Sequence, residues 1–219
     1  MESKLLAVLL ESPALPELIQ EASRVLHCEQ KLRAKFYADI TPEHKWEFIQ
    51  GEVIMHSPAL NRHLLATQHF YNLLNAYTAT RRCGQVRVEK AMVIFPRNDY
   101  EPDIVFFTPE KSALFHADTL YFPVPDLIVE VLSQSTEGRD RGIKFQDYAL
   151  HGVQEYWIVD AAAETVELYR LAGEVYPPVA PQKDGVLTSE VVPGFRLPVR
   201  AVFDEAVNLA ALREILEGQ

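Results

Sequence analysis

Cysteine is scarce: Cys28 and Cys83 are the only two in 219 residues. They lie far apart and match no zinc-ligand spacing, so they read as reduced buried thiols in a cytosolic protein, not as a disulfide framework or a metal knuckle. Long apolar runs are missing too. The run LLAVLL (5–10) is ended by Glu11 and is too short to span a membrane and weak as an export signal. A soluble, cytoplasmic chain with no membrane partner is expected. The third shortage is positive charge, since 21 Lys and Arg stand against 31 Asp and Glu, for a net charge of −10. Nucleic acid repels such a chain on average, because phosphate neutralisation drives non-specific affinity. That argues against a general DNA coat protein. It leaves room for an enzyme with carboxylates in its site and a locally basic contact surface. Arg81, Arg82, Arg87 and Lys90 form one candidate patch, and Arg139, Arg141 and Lys144 another, although each residue taken singly reads first as ordinary solvated charge.

What is present is ordinary globular material, long enough for one sizeable core. There is no internal repeat and no low-complexity tract. Residues 1–33 mix apolar and charged residues at helical spacing, interrupted by Pro13 and Pro16, and read as an accessory helical N-terminus. WEFIQGEVIMHSP (46–58) reads as a strand pair turned at Gly51. A helix is expected over about 61–80 with Asn61 as its cap. Strands follow at 85–96, 102–109 and 126–132, then a short helix over 139–150 ended by His151 and Gly152. EYWIVDA and ETVELYRL suit a hairpin. VLTSEVV is strand-like, and a terminal helix closes the chain from about 203 to 216. The order implies an α+β fold, a mixed sheet flanked by helices; without regular βαβ alternation, a doubly wound or barrel fold is disfavoured.

Two strands carry a carboxylate where an apolar residue is expected. In DLIVEVL, Glu130 shares a face with Asp126, Ile128 and Leu132; in PDIVFF, Asp103 shares one with Val105 and Phe107. A buried carboxylate is costly unless paired, hydrogen-bonded or bound to metal. If the strands are neighbours, the two carboxylates converge, and a hard divalent ion such as Mg2+ relieves their repulsion. Lys144 lies on the following helix, with Asp140 and Tyr148 four residues to either side on the same face. A lysine beside a metal-bound water can position it or neutralise charge developing on a phosphate, which suits phosphodiester hydrolysis. Spacing alone does not single out this set, since acid–acid–lysine groupings also arise by chance.

The ordered series GEVIMHSP, NRH opening a helix, EPDIVFF, PDLIVEVLSQST, RDRGIKFQDY, GVQEYWIVD and VELYRL resembles the Uma-two endonuclease family of the PD-(D/E)XK superfamily, over about residues 45–200. PGFRLPV (193–199) resembles a recurring C-terminal element of that family, whereas residues 1–40 match none of it. The resemblance implies a restriction-endonuclease-like fold, with a helical extension over 1–40 and a single nuclease domain over 41–219 that includes a C-terminal strand and helix. It makes Asp103 the aspartate of the PD element and Glu130 the (D/E) position. The lysine expected at position 132 is leucine, so the displaced Lys144 takes its role. Glu52 resembles an additional acidic residue of the metal site, and His63 falls where the family often carries histidine.

The expected site is therefore Asp103, Glu130, Glu52 and the Val131 carbonyl around Mg2+ or Mn2+. Lys144 is catalytic, His63, Asp140 and Tyr148 are supporting, and Arg139 and Arg141 contact nucleic acid. The expected activity is endonucleolytic cleavage of DNA by a homodimer. The competing expectation is a nuclease fold without catalysis, retained for binding or assembly.

Overall fold

The computed structural model describes residues 2–218, with side chains from Leu6 onward, and the chain divides into two compact units, Met1–Met55 and His56–Gln219. The expectation of helices up to residue 40 and one domain from 41 differs in where the first hairpin is assigned. That hairpin groups with the N-terminal helices.

In the N-terminal unit, α1 (Glu2–Leu10) and α2 (Leu15–Asp39) flank a turn containing Pro13. Pro16 sits in the first turn of α2, where its missing N–H would have had no helical acceptor. Strands β1 (Trp46–Ile49) and β2 (Glu52–Met55) pair antiparallel, with Ile49 opposite Glu52. The two residues between them, Gln50 and Gly51, have φ of 49° and 88°. Positive φ at both positions is what a two-residue turn needs to match the twist of its strands, and glycine supplies one of them without strain. Phe36 of α2 packs on Phe48 of β1, ring centroids 5.6 Å apart.

The second unit opens with α3 (Asn61–Arg81), whose N-cap is Leu60; Asn61 is its first helical residue. The strand expected over 85–96 is two, β3 (Gln85–Val88) and β4 (Met92–Ile94). They separate at Glu89, whose φ of 57° is incompatible with a strand. Next come β5 (Asp99–Tyr100), β6 (Ile104–Phe107), α4 (Pro109–Ser112), β7 (Tyr121–Phe122) and β8 (Leu127–Val131). The short helix is likewise divided, into α5 (Glu137–Asp140) and α6 (Ile143–Leu150), with Gly142 between them. A Cβ at Gly142 would stand 2.6 Å from the Gly138 carbonyl oxygen, so the junction requires glycine. The chain ends with β9 (Glu155–Asp160), β10 (Thr165–Arg170), β11 (Val186–Thr188), β12 (Arg196–Pro198) and α7 (Glu205–Glu217).

The main sheet has the order β10-β9-β8-β6-β3, antiparallel except where β8 runs parallel to β9. One face carries Ile104, Phe106, Leu127, Val129, Trp157 and Val159, which pack with Phe70, Leu73 and Leu74 of α3 and Ala211 of α7 in the main core. The opposite face carries Asp103, Val105, Ile128, Glu130 and Tyr156, and Tyr148 of α6 meets Tyr156 there at 5.1 Å. With both faces covered, all five residues of β8 are buried. Glu130 is therefore inside the protein whichever face it takes.

Candidate active site

The ladder that pairs Ile104 with Val129 sets Asp103, one step further, across from Glu130. Asp103 is 5% exposed and Glu130 4%. Asp103 lies where β6 begins, and its Oδ2 accepts the Val131 N–H at 2.8 Å. A charge-assisted bond of this kind favours the ionised carboxylate and fixes its orientation.

Glu130 is held from the other side. Its Oε1 accepts from Lys144 Nζ and from the Tyr148 hydroxyl, both at 2.9 Å. Lys144 Nζ also lies 3.3 Å from Asp140 Oδ1 and 5.7 Å from the Tyr100 ring centroid. Asp140, Lys144 and Tyr148 thus share the face that their four-residue spacing implies, even though the helix is interrupted at Gly142. An ammonium this deeply buried is tolerable only because two carboxylates and an aromatic face surround it. Tyr156 donates its hydroxyl to the Asp140 carbonyl at 3.0 Å. Burial first, then the charges of Asp140 and Glu130, push its phenol well above the usual range, so it stays a neutral donor. Asp147, one turn along α6, accepts from Asn98 Nδ2 and the Tyr100 hydroxyl at 2.7 Å each, and its Oδ1 lies 2.9 Å from His151 Nδ1. These bonds fix the rotation of the helix that carries Lys144.

Around Asp103 a second grouping appears. His63, from the first turn of α3, places Nε2 3.4 Å from Asp103 Oδ1. Glu89, in its left-handed conformation, donates its N–H to the Asp103 carbonyl at 2.9 Å. One ligand atom from each of His63, Glu89 and Asp103 lies within 4.8 Å of the others. An octahedral ion with bonds of about 2.1 Å spaces its ligands roughly 3.0 Å apart when adjacent and 4.2 Å when opposite. One imidazole and two carboxylates at these separations can accept a divalent cation with small side-chain adjustments. Among the described residues this is the only such cluster with three donors.

Of the residues expected from sequence, Asp103, Glu130, Lys144, Asp140, Tyr148 and His63 come together. Val131 contributes a backbone N–H to Asp103. Glu52 opens β2 of the N-terminal unit and is exposed. Arg141 forms a bidentate pair with Glu167, at 3.0 and 2.7 Å, so its guanidinium is committed within the fold. Burial raises the Glu167 carboxyl, but the bonds from Arg141 and Tyr169 outweigh it and leave it below the usual range. Arg139 is half-buried on α5. Neither cysteine is buried as expected: Cys28 is exposed on α2 and Cys83 is half-buried. Sequence reasoning missed Glu89 by reading 85–96 as one strand. Two consecutive charges, Glu89 and Lys90, inside an apolar run were the available signal of a break.

No helix among the described residues is long and apolar enough to cross a membrane. Two curated relatives, both uncharacterised proteins of Synechocystis, are similar to this chain. One, sll1609, is 30% identical over 132 residues, covering 59% of this chain and 74% of its own. The other, slr1290, is 33% identical over 81 residues, covering 36% and 41%. A crystal structure titled as a putative nuclease belonging to DUF820, from Anabaena variabilis, superposes with a TM-score of 0.66 at 19% identity, over 81% of this chain and 96% of that one. At that identity the likeness establishes the fold, which is restriction-endonuclease-like. The model of the family Uma2, described as "Putative restriction endonuclease", matches residues 31–200, and the chain belongs to that family.

Proposed function

We propose that this protein is a metal-dependent endonuclease that hydrolyses phosphodiester bonds in DNA. The observation that carries the reading is Asp103 itself, shared between the donors His63 and Glu89 on one side and the strand that carries Glu130 on the other. Asp103 and Glu130 would hold a divalent cation, Mg2+ or Mn2+, with Glu89, His63 and the Val131 carbonyl as further donors. When bound, the ion supplies Lewis-acid polarisation of a phosphoryl oxygen and lowers the pKa of a bound water.

The remaining chemistry belongs to the chain. Lys144, held against Glu130 at 2.9 Å, keeps a positive charge fixed beside the carboxylates. There it can orient the attacking water or balance charge gathering on the phosphate in the transition state. Asp140 keeps that ammonium in place, and Tyr148 holds the Glu130 oxygen that the ammonium also meets. Burial of the pair excludes bulk water, which strengthens each of these interactions.

The test is nicking of supercoiled plasmid by the purified chain, with and without Mg2+ or Mn2+, beside Asp103→Ala and Glu130→Gln. Cleavage that needs the cation and disappears in both variants supports the reading, and cleavage that survives both overturns it. Leucine at position 132 and a charge of −10 favour the competing reading, a fold retained for binding or assembly. Cation binding without cleavage of any nucleic acid is the result that selects it.

A further inference from the structure

Arg87 stands in β3, the edge strand of the main sheet, opposite Val105. Paired residues share a face, so Arg87 lies on the side that carries Asp103 and Glu130, while its neighbour Val86 joins the main core on the other. Asp103 precedes Val105 by two residues and is therefore the diagonal neighbour of Arg87, with Cα atoms roughly 7–8 Å apart.

The half-buried side chain is held on neutral groups. It donates to the Val86 carbonyl at 2.9 Å and to the side-chain oxygen of Gln85, and its guanidinium lies 5.9 Å from the Phe115 ring centroid. Phe115 is fixed in turn, edge-on to Phe107 at 4.9 Å and to Phe122 at 5.0 Å. A carbonyl, an amide and a ring carry no net charge, so none of them neutralises the cation. By contrast, Lys144 is spent on Glu130 and Asp140, Arg141 on Glu167 and Lys111 on Asp126. A guanidinium over a ring, with N–H donors left over, suits a phosphate, and its fixed position lowers the entropy lost on binding. Gln85 and the Val86 carbonyl draw it along β3, away from Asp103. The anion it takes is therefore separate from one at the metal donors.

We propose that Arg87 is a positioning residue for a nucleic-acid polymer, holding a backbone phosphate beside the one to be cleaved. The inference rests on the nuclease reading above and deepens it, since a chain of net charge −10 needs local positive charge to receive a polyanion.

Fluorescence anisotropy of a labelled duplex oligonucleotide with the full-length chain, in Ca2+ to screen the carboxylates, reads the contact. Arg87→Gln should weaken binding about tenfold and reduce the dependence of log K on log salt by about 0.9, the share of one phosphate. Arg87→Lys should keep the salt dependence and lose part of the affinity. Arg213→Gln, an equal change of charge on α7 across the sheet, should alter neither. With Mn2+ added, Arg87→Gln should raise KM for plasmid and leave hydrolysis of bis(p-nitrophenyl) phosphate, which has a single phosphate, unchanged. A salt dependence untouched by Arg87→Gln overturns the proposal, as does an equal loss in Arg213→Gln or a chain that binds no oligonucleotide. If the chain cleaves neither substrate, yet Arg87→Gln lowers the salt dependence, the nuclease reading falls and the phosphate contact stands. Plasmid cleavage with a salt dependence indifferent to Arg87 does the reverse.

Discussion

Lys144 donates to Glu130 across 2.9 Å, with the two side chains only 2% and 5% exposed. An ion pair removed from water this completely holds both partners in one geometry, and it makes the loss of either one expensive.

Lys144→Met leaves Glu130 and Asp140 buried without their cation. Unfolding free energy should fall by about 3–5 kcal/mol, the cost typical of a broken buried pair. Urea denaturation monitored by tryptophan fluorescence measures this, since Trp157 is fully buried. Cleavage should be lost at temperatures where the variant is still folded.

Tyr148→Phe removes one of the two hydrogen bonds to Glu130 Oε1 and little volume. The expected loss is about 1.5–3 kcal/mol, the range for a hydrogen bond to a charged group. Lys144 remains, so nuclease activity should be reduced and not abolished. A variant as stable as wild type would show that the hydroxyl does not restrain Glu130.

The donor set around Asp103 mixes imidazole nitrogen with carboxylate oxygen. Imidazole binds transition ions better than it binds magnesium. Titration calorimetry should therefore show Mn2+ binding more tightly than Mg2+, and His63→Ala should weaken Mn2+ binding more than Mg2+ binding. Glu89→Gly should weaken both by about tenfold or more. Glycine accepts the φ of 57° there without a Cβ penalty, so the backbone turn is kept in this variant.

Arg141 and Glu167 predict a pH dependence. The folded Glu167 carboxyl is held below its ordinary value, so its contribution is fully present above the unfolded value of about 4.3. It disappears as pH falls through the lower, folded value. Arg141 is partly exposed, which limits the effect to about 1 kcal/mol. Urea midpoints between about pH 3 and 7 should converge for wild type and Glu167→Gln at the acid end and separate towards neutrality.

Much of the fold was legible because its signals are local. Gly51 between WEFI and EVIM marks a tight hairpin, the β-branched and aromatic residues of EYWIVD and TVELYR mark two strands, and Gly152 marks a helix end. Glu130 was conspicuous because a carboxylate in LIVEV has few inexpensive explanations. The break at Glu89 was marked only by the adjacent charges Glu89 and Lys90, and the break at Gly142 was not legible. A positive φ at a glutamate is imposed by what the residue contacts, and a four-residue spacing reads the same whether or not the helix is interrupted between its members.

The sequence by itself determined the element order, the strands that carry Asp103 and Glu130, and the helical face that carries Asp140, Lys144 and Tyr148. These follow from periodicity and turn chemistry within a few residues of each position. Only the tertiary structure decided that Asp103 and Glu130 face each other across neighbouring strands, and that His63 and Glu89 reach Asp103 from segments 40 and 14 residues before it. It also decided that Arg141 is spent on Glu167. Strand partners and helix coverage are set by packing over long sequence separations, where one residue's identity carries little information about its neighbours in space.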